Sequence, residues 1–105
     1  MSAYPVKLVH LTYAKETADV KAMFVVPKKK FKRANERNTL KRRMREAYRL
    51  QKSEFYKAVG NTGLNLAFIY YGNKEEEYQV IAKALSKLLN NLTREITGAV
   101  KQQTK

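Results

Sequence analysis

Eleven basic side chains fall between Lys28 and Arg49: Lys28, Lys29, Lys30, Lys32, Arg33, Arg37, Lys41, Arg42, Arg43, Arg45 and Arg49. Only Glu36 and Glu46 oppose them, so these 22 residues carry a net +9 out of +13 for the whole chain. A charge excess this local points to a binding site for a polyanion, because each neutralised phosphate releases a condensed counterion. Arginine forks two hydrogen bonds onto phosphate oxygens, and lysine adds mobile point charges. Asn38, inside the same run, brings an amide that can donate and accept, which suits a ribose 2′-hydroxyl or a base edge. The segment Lys28–Arg33 lies just before a predicted helix start, where free backbone N–H groups also favour anions.

Other chemistry is poorly supplied. The chain has no cysteine, which excludes disulfide scaffolds, thiolate zinc sites and cysteine nucleophiles, and fits a reducing, cytoplasmic location. Its single histidine, His10, sits in a β-prone run and reads as a packed or surface residue. Four glycines, at 60, 63, 72 and 98, form neither a P-loop nor a dinucleotide fingerprint. Glu75, Glu76 and Glu77 read as dipole compensation at a helix start, not as a metal site. The sequence therefore predicts no catalytic residue, no metal ligand and no cofactor bound by the protein alone.

The elements that must position the basic run fit one domain of 105 residues. Apolar residues make up 44% of it, enough for a packed core, and no apolar run is long enough to span a membrane. The N-terminus lacks the basic and apolar regions of a secretion signal. Val6–Tyr13 and Val20–Val26 are β-prone runs joined by a polar connector, Ala14–Asp19, and read as a hairpin. After a basic loop, Asn35 is placed to cap a helix from Glu36 to Val59. Leu40, Met44, Ala47, Phe55 and Ala58 share its apolar face at 100° per residue. Asn38, Arg42, Arg45 and Arg49 line the opposite side, flanked by Lys41 and Lys52. Leu64–Tyr71 alternates as a central strand, and Gly72-Asn73-Lys74 is a turn. A second helix, opened by the three glutamates, buries Tyr78, Ile81, Ala82, Leu85, Leu88, Leu89 and Leu92. An ordered core of about residues 5–97 and a frayed tail over 98–105 are expected. The result is an α+β fold: a small sheet of three or four strands packed with two helices, with a βαβ crossover.

The run from Val25 to Arg49 resembles the signature of the protein subunit of bacterial ribonuclease P. Lys28-Lys29 follows a strand, Arg37-Asn38 opens the basic helix, and Lys41-Arg42 and Arg45-Glu46 follow at fixed offsets. Pro27 stands where the family usually has a small residue. The resemblance implies a left-handed crossover in the α+β fold. It implies that the chain binds the catalytic RNA of ribonuclease P and the 5′ leader of precursor tRNA. The RNA, with Mg2+, then performs the endonucleolytic maturation of tRNA 5′ ends. Carried residue by residue, Lys28, Lys29, Lys32, Arg37, Asn38, Lys41, Arg42 and Arg45 would face RNA; charge and helical position add Arg33 and Arg49. Family members generally carry a helix before the first strand, whose aromatic residues help form the leader cleft. Here the first β-prone run begins at Val6, so that helix is expected to be missing, and self-association through the uncovered sheet face follows as a prediction. The alternative is a ribosomal or other structural RNA-binding protein. A DNA-binding regulator fits less well, since strands rather than a second helix flank the basic helix.

Overall fold

In the computed structural model the described residues are 1–13, 20–59 and 63–103, with side chains described for all but 12, 13 and 98–103 of these. Four strands, β1 (Ser2–Ala3), β2 (Val6–Tyr13), β3 (Val20–Val25) and β4 (Gly63–Tyr70), are joined by two long helices, α1 (Ala34–Val59) and α2 (Tyr78–Gln103). The sheet order is β1-β2-β4-β3. β4 pairs antiparallel with β2, from Val6 opposite Tyr70 to Tyr13 opposite Gly63. On its other edge β4 pairs parallel with β3, from Val20 opposite Leu64 to Val25 opposite Ile69. The short β1, which the sequence pattern does not reveal, pairs antiparallel with β2.

This order corrects the expected hairpin. β2 and β3 are not neighbours, because β4 lies between them. Parallel pairing of β3 with β4 needs a long return, and α1 provides it as the crossover of a βαβ unit. The connector 14–19 and the segment 60–62 lie outside the described residues. Central placement of β4 accords with its alternation: Leu64, Leu66, Phe68 and Tyr70 are buried on the helical side, while Asn65, Ala67 and Ile69 face the other way.

Both helices cover one face of the sheet. α1 lies over β3, and α2 over β1 and β2, with the two helices packed together. The core joins Val6, Leu8, Leu40, Met44, Phe68, Tyr70, Ile81, Leu85, Leu88 and Leu92, all nearly or completely shielded from water. Burying each such side chain stabilises the fold by about 1.5–3 kcal/mol. His10 sits half-buried in β2 on the helical side, a packed histidine.

Several boundaries move for identifiable reasons. α1 starts at Ala34, two residues before the expected start, and the Arg33 carbonyl accepts the Arg37 N–H. Arg33 is thus the flanking cap residue. Asn35 sits inside the first turn, where its side chain accepts from the Glu36 N–H and its carbonyl from the Thr39 hydroxyl. Ala58 is exposed, not on the apolar face, and Val59 is buried in its place, with Tyr48 joining the core midway. α2 begins at Tyr78, after the three glutamates. The Glu77 carbonyl accepts the first N–H bonds, from Val80 and Ile81. At its far end α2 runs through Gly98 to Gln103; one helical glycine costs only about 1 kcal/mol.

Glu75 and Glu76 serve tertiary contacts at the α2 entry. Arg43 bonds the Glu76 carbonyl at 2.7 Å and pairs with the Glu75 carboxylate at 3.3 Å. The Tyr4 hydroxyl donates to the Glu76 carboxylate at 2.8 Å, which raises the phenol's pKa. Buried Tyr70 donates to the Lys74 carbonyl and accepts the Glu76 N–H, and burial pushes its phenol up as well. Gly72 is closed in by this cluster: an added Cβ would stand 2.9 Å from the Pro5 Cβ and 3.1 Å from the Tyr70 ring. Gly72→Ala is therefore expected to destabilise the protein by about 1–3 kcal/mol, as overpacking does. Urea denaturation checks this; an unchanged midpoint would show that the cluster yields freely.

Candidate nucleic-acid interface

The basic loop is fixed from within. Phe31, only 4% exposed, plugs the core and meets Tyr70 edge-on at 5.6 Å between centroids. The Lys30 and Phe31 N–H groups both return to the Pro27 carbonyl, closing a tight turn. Lys30 then spends its ammonium on the Tyr71 carbonyl. Arg37 reaches back from α1 to bond the carbonyls of Phe31 and Lys32 at 2.8 and 2.9 Å. With its backbone held this way, the loop leaves Lys28, Lys29, Lys32 and Arg33 exposed to solvent. Preordering matters, since a ligand then meets the cations without the entropic cost of arranging the chain.

On α1 the expected division of faces holds. Asn38, Arg42, Arg45 and Arg49 are exposed along one side, opposite Leu40, Met44 and Ala47 in the core. The row spans about 16 Å of helix at 1.5 Å per residue. Lys41 is half-buried at its border. Arg45 lies with its guanidinium carbon 6.0 Å from the Phe24 ring centroid, a cation–π distance. Phe24 itself stacks on Phe68 at 5.5 Å with an 11° interplanar angle. The sheet thus supports the row through an aromatic contact that charge counting misses; period-2 alternation in β3 marks Phe24 only as an inward residue. Arg49 bonds the Glu46 carboxylate through two nitrogens, which lowers the pKa of Glu46 and raises that of Arg49. Such an exposed pair adds little to stability and can yield to a phosphate.

The ten site residues expected from sequence therefore divide by role. Lys28, Lys29, Lys32, Arg33, Asn38, Arg42, Arg45 and Arg49 are exposed; Arg37 and Lys41 are half-buried, and Arg37 orders the loop with part of its guanidinium. Arg43 and Lys30, the two basic residues of the run outside that set, also bond structural carbonyls, those of Glu76 and Tyr71. Among the described residues no three His, Cys, Asp or Glu side chains converge to hold a metal ion. The remaining concavities, such as an approximately 350 Å³ groove between α1 and α2 lined by Gln51, Glu54, Phe55, Ser86, Leu89 and Asn90, hold no recognisable catalytic set.

Comparison with known proteins decides the family. The ribonuclease P family model matches residues 3–93, most of the chain. The chain belongs to the ribonuclease P protein family. It is similar to the ribonuclease P protein component of Chlorobium phaeobacteroides, with 31% identity over 98 residues, covering 78% of this chain and 67% of the relative. It is also similar to the ribonuclease P protein component of Porphyromonas gingivalis, with 32% identity over 89 residues, covering 82% of this chain and 65% of the relative. The chain thus spans about two thirds of the length of these relatives. No solved structure matches it significantly. Ribonuclease P membership implies association with the ribonuclease P RNA and a part in tRNA processing. The α+β architecture, with its basic crossover helix, is the one the sequence motif led us to expect.

Proposed function

We propose that this chain acts as the protein subunit of the ribonuclease P endoribonuclease, holding the catalytic RNA through its basic loop and the outward row of α1. The observation that carries the reading is the coincidence of the family signature with the solvent-facing cations. Asn38, Arg42 and Arg45 are exposed on α1, while the signature's lysine pair sits on a loop preordered by Phe31 and Arg37. RNA supplies the cleavage chemistry, with Mg2+ bound by the RNA subunit, and the protein contributes positive charge and shape. Precursor tRNA, through its 5′ leader, is the second polyanion engaged, and the cytoplasm is the compartment. No helix among the described residues is long and apolar enough to cross a membrane.

Direct binding tests the reading against that of a general RNA-binding protein. A bacterial ribonuclease P RNA and a ribosomal RNA fragment of equal length are compared over a salt series. Preferential binding of the ribonuclease P RNA is expected; equal affinity would move the chain to the ribosomal class.

The sheet face turned away from the helices bears on self-association. Val9, Leu11 and Met23 are 54%, 64% and 59% exposed there; Val9 and Met23 flank half-buried Ala67 of β4, Leu11 lies opposite Asn65, and half-buried Ile69 lies between Lys7 and Val25. An apolar surface of this kind favours pairing with a second copy. Sedimentation is expected to show mass rising with concentration, and Leu11→Lys to restore the monomer without loss of fold. A wild-type monomer at every concentration would rule out the association.

A further inference from the structure

The row on α1 does not stop where the family signature stops. Continuing at 100° per residue, Lys52 extends it, and Tyr56 falls within about 20° of Arg49's direction, about 10 Å further along the axis. Lys52 is exposed, and Tyr56 is 39% exposed, the aromatic residue that α1 turns to solvent on this side. Its hydroxyl meets that of Tyr48 at 3.1 Å. Tyr48 is buried to 7% exposure and is held by the rings of Phe24 and Phe68 at 5.9 and 5.6 Å. The exposed phenol is thus tethered by its tip to the same aromatic group that supports Arg45. A free surface tyrosine would lose side-chain freedom on stacking; this one is already positioned, and its ring stays accessible.

We propose that Tyr56 is a further RNA-binding residue, a platform on which an unpaired base of the RNA partner stacks where the cationic row ends. The inference rests on the reading of that row as an RNA face and adds a different kind of contact to it. Arginines along Asn38–Arg49 track the phosphates, and the aromatic ring takes a base that has left its stack. Lys52, between them on the same side, neutralises the intervening backbone. Base stacking tolerates any sequence, so Tyr56 favours unpaired over duplex RNA at this end of the helix without choosing among bases.

The test measures affinity for a bacterial ribonuclease P RNA across a salt series, with Tyr56→Ala, Tyr56→Leu, Tyr56→Phe and Arg42→Ala compared with the unaltered chain. Tyr56→Ala and Tyr56→Leu are expected to weaken binding about 5- to 100-fold with an unchanged salt slope, because no charge is removed. Tyr56→Phe keeps the ring and is expected to stay within about twofold of the unaltered chain, on the same stacking argument. Leucine keeps apolar bulk over Tyr48, so its loss of affinity separates stacking from packing, and circular dichroism confirms folding of each variant. Undiminished binding by Tyr56→Ala, with loss at Arg42→Ala, would overturn the platform while leaving the cationic face intact. Equal losses in Tyr56→Phe and Tyr56→Ala would also overturn it, by assigning the effect to the hydroxyl tether. Loss at neither position would overturn the reading of the whole face, and the platform with it.

Discussion

Leu85→Asp is expected to abolish the folded state. Leu85 lies on the inward side of α2, fully shielded from water. The substitution removes buried apolar surface and sets a carboxylate among the apolar side chains of the core. An unpaired buried charge costs several kcal/mol even after relaxation, and the lost packing adds about 2–5 kcal/mol, as for leucine-to-alanine changes. Together these approach or exceed the total stability of a domain this size, about 5–15 kcal/mol. Far-ultraviolet circular dichroism should show loss of helix at neutral pH, whereas Leu85→Ala should remain folded with a lowered midpoint. A cooperative, native-like transition for Leu85→Asp would mean that α2 is not held to the sheet as described.

The second large effect concerns the ligand and not the fold. Arg42→Ala with Arg45→Ala removes two exposed cations from the α1 row while leaving Leu40, Met44 and Ala47 in place. Charge-assisted hydrogen bonds contribute about 1.5–3 kcal/mol each, so affinity for the ribonuclease P RNA should fall by about two orders of magnitude or more. The dependence of log affinity on log salt should flatten by about 0.7–0.9 for each phosphate that is no longer neutralised. Thermal stability should change little, apart from the Arg45 contact with Phe24, about 0.5–1 kcal/mol at an exposed site. A lowered affinity with the slope intact would show that these residues shape the site without touching phosphate.

Much of this was legible in the chain because the relevant signals are local. The 3.6-residue period places Asn38, Arg42, Arg45 and Arg49 opposite Leu40 and Met44 whatever else the protein does. Alternation from Leu64 to Tyr70 marks a strand with one dry face, and that strand is central. Strand adjacency is not local. Val6–Tyr13 and Val20–Val25 look like a hairpin because six residues separate them, yet β4 enters between them from more than thirty residues later in the chain. The supporting contacts were hidden for the same reason. Arg43, Arg45 and Lys30 are alike in charge, and only the fold separates them: Arg43 reaches the start of α2, Lys30 reaches the end of β4, and Arg45 is left over Phe24. The acidic triplet shows the limit of local reasoning most plainly. A dipole argument explains its position before α2, but Glu75 and Glu76 are used by Arg43 and Tyr4.

The cationic surface also explains the division of labour proposed for the holoenzyme. The protein offers preordered charge on a loop and a helix, and its described residues contain no metal-binding cluster. In the proposed role it would reduce repulsion between RNA strands and position them, a contribution that should grow as divalent ion becomes scarce.

Cleavage of a precursor tRNA by a bacterial ribonuclease P RNA at low Mg2+, with and without the chain, measures this most directly. The proposed role predicts clear stimulation by the protein, diminishing as Mg2+ is raised and lost in the Arg42→Ala, Arg45→Ala variant. Cleavage that proceeds at the same rate with and without the chain across the whole Mg2+ range would contradict it.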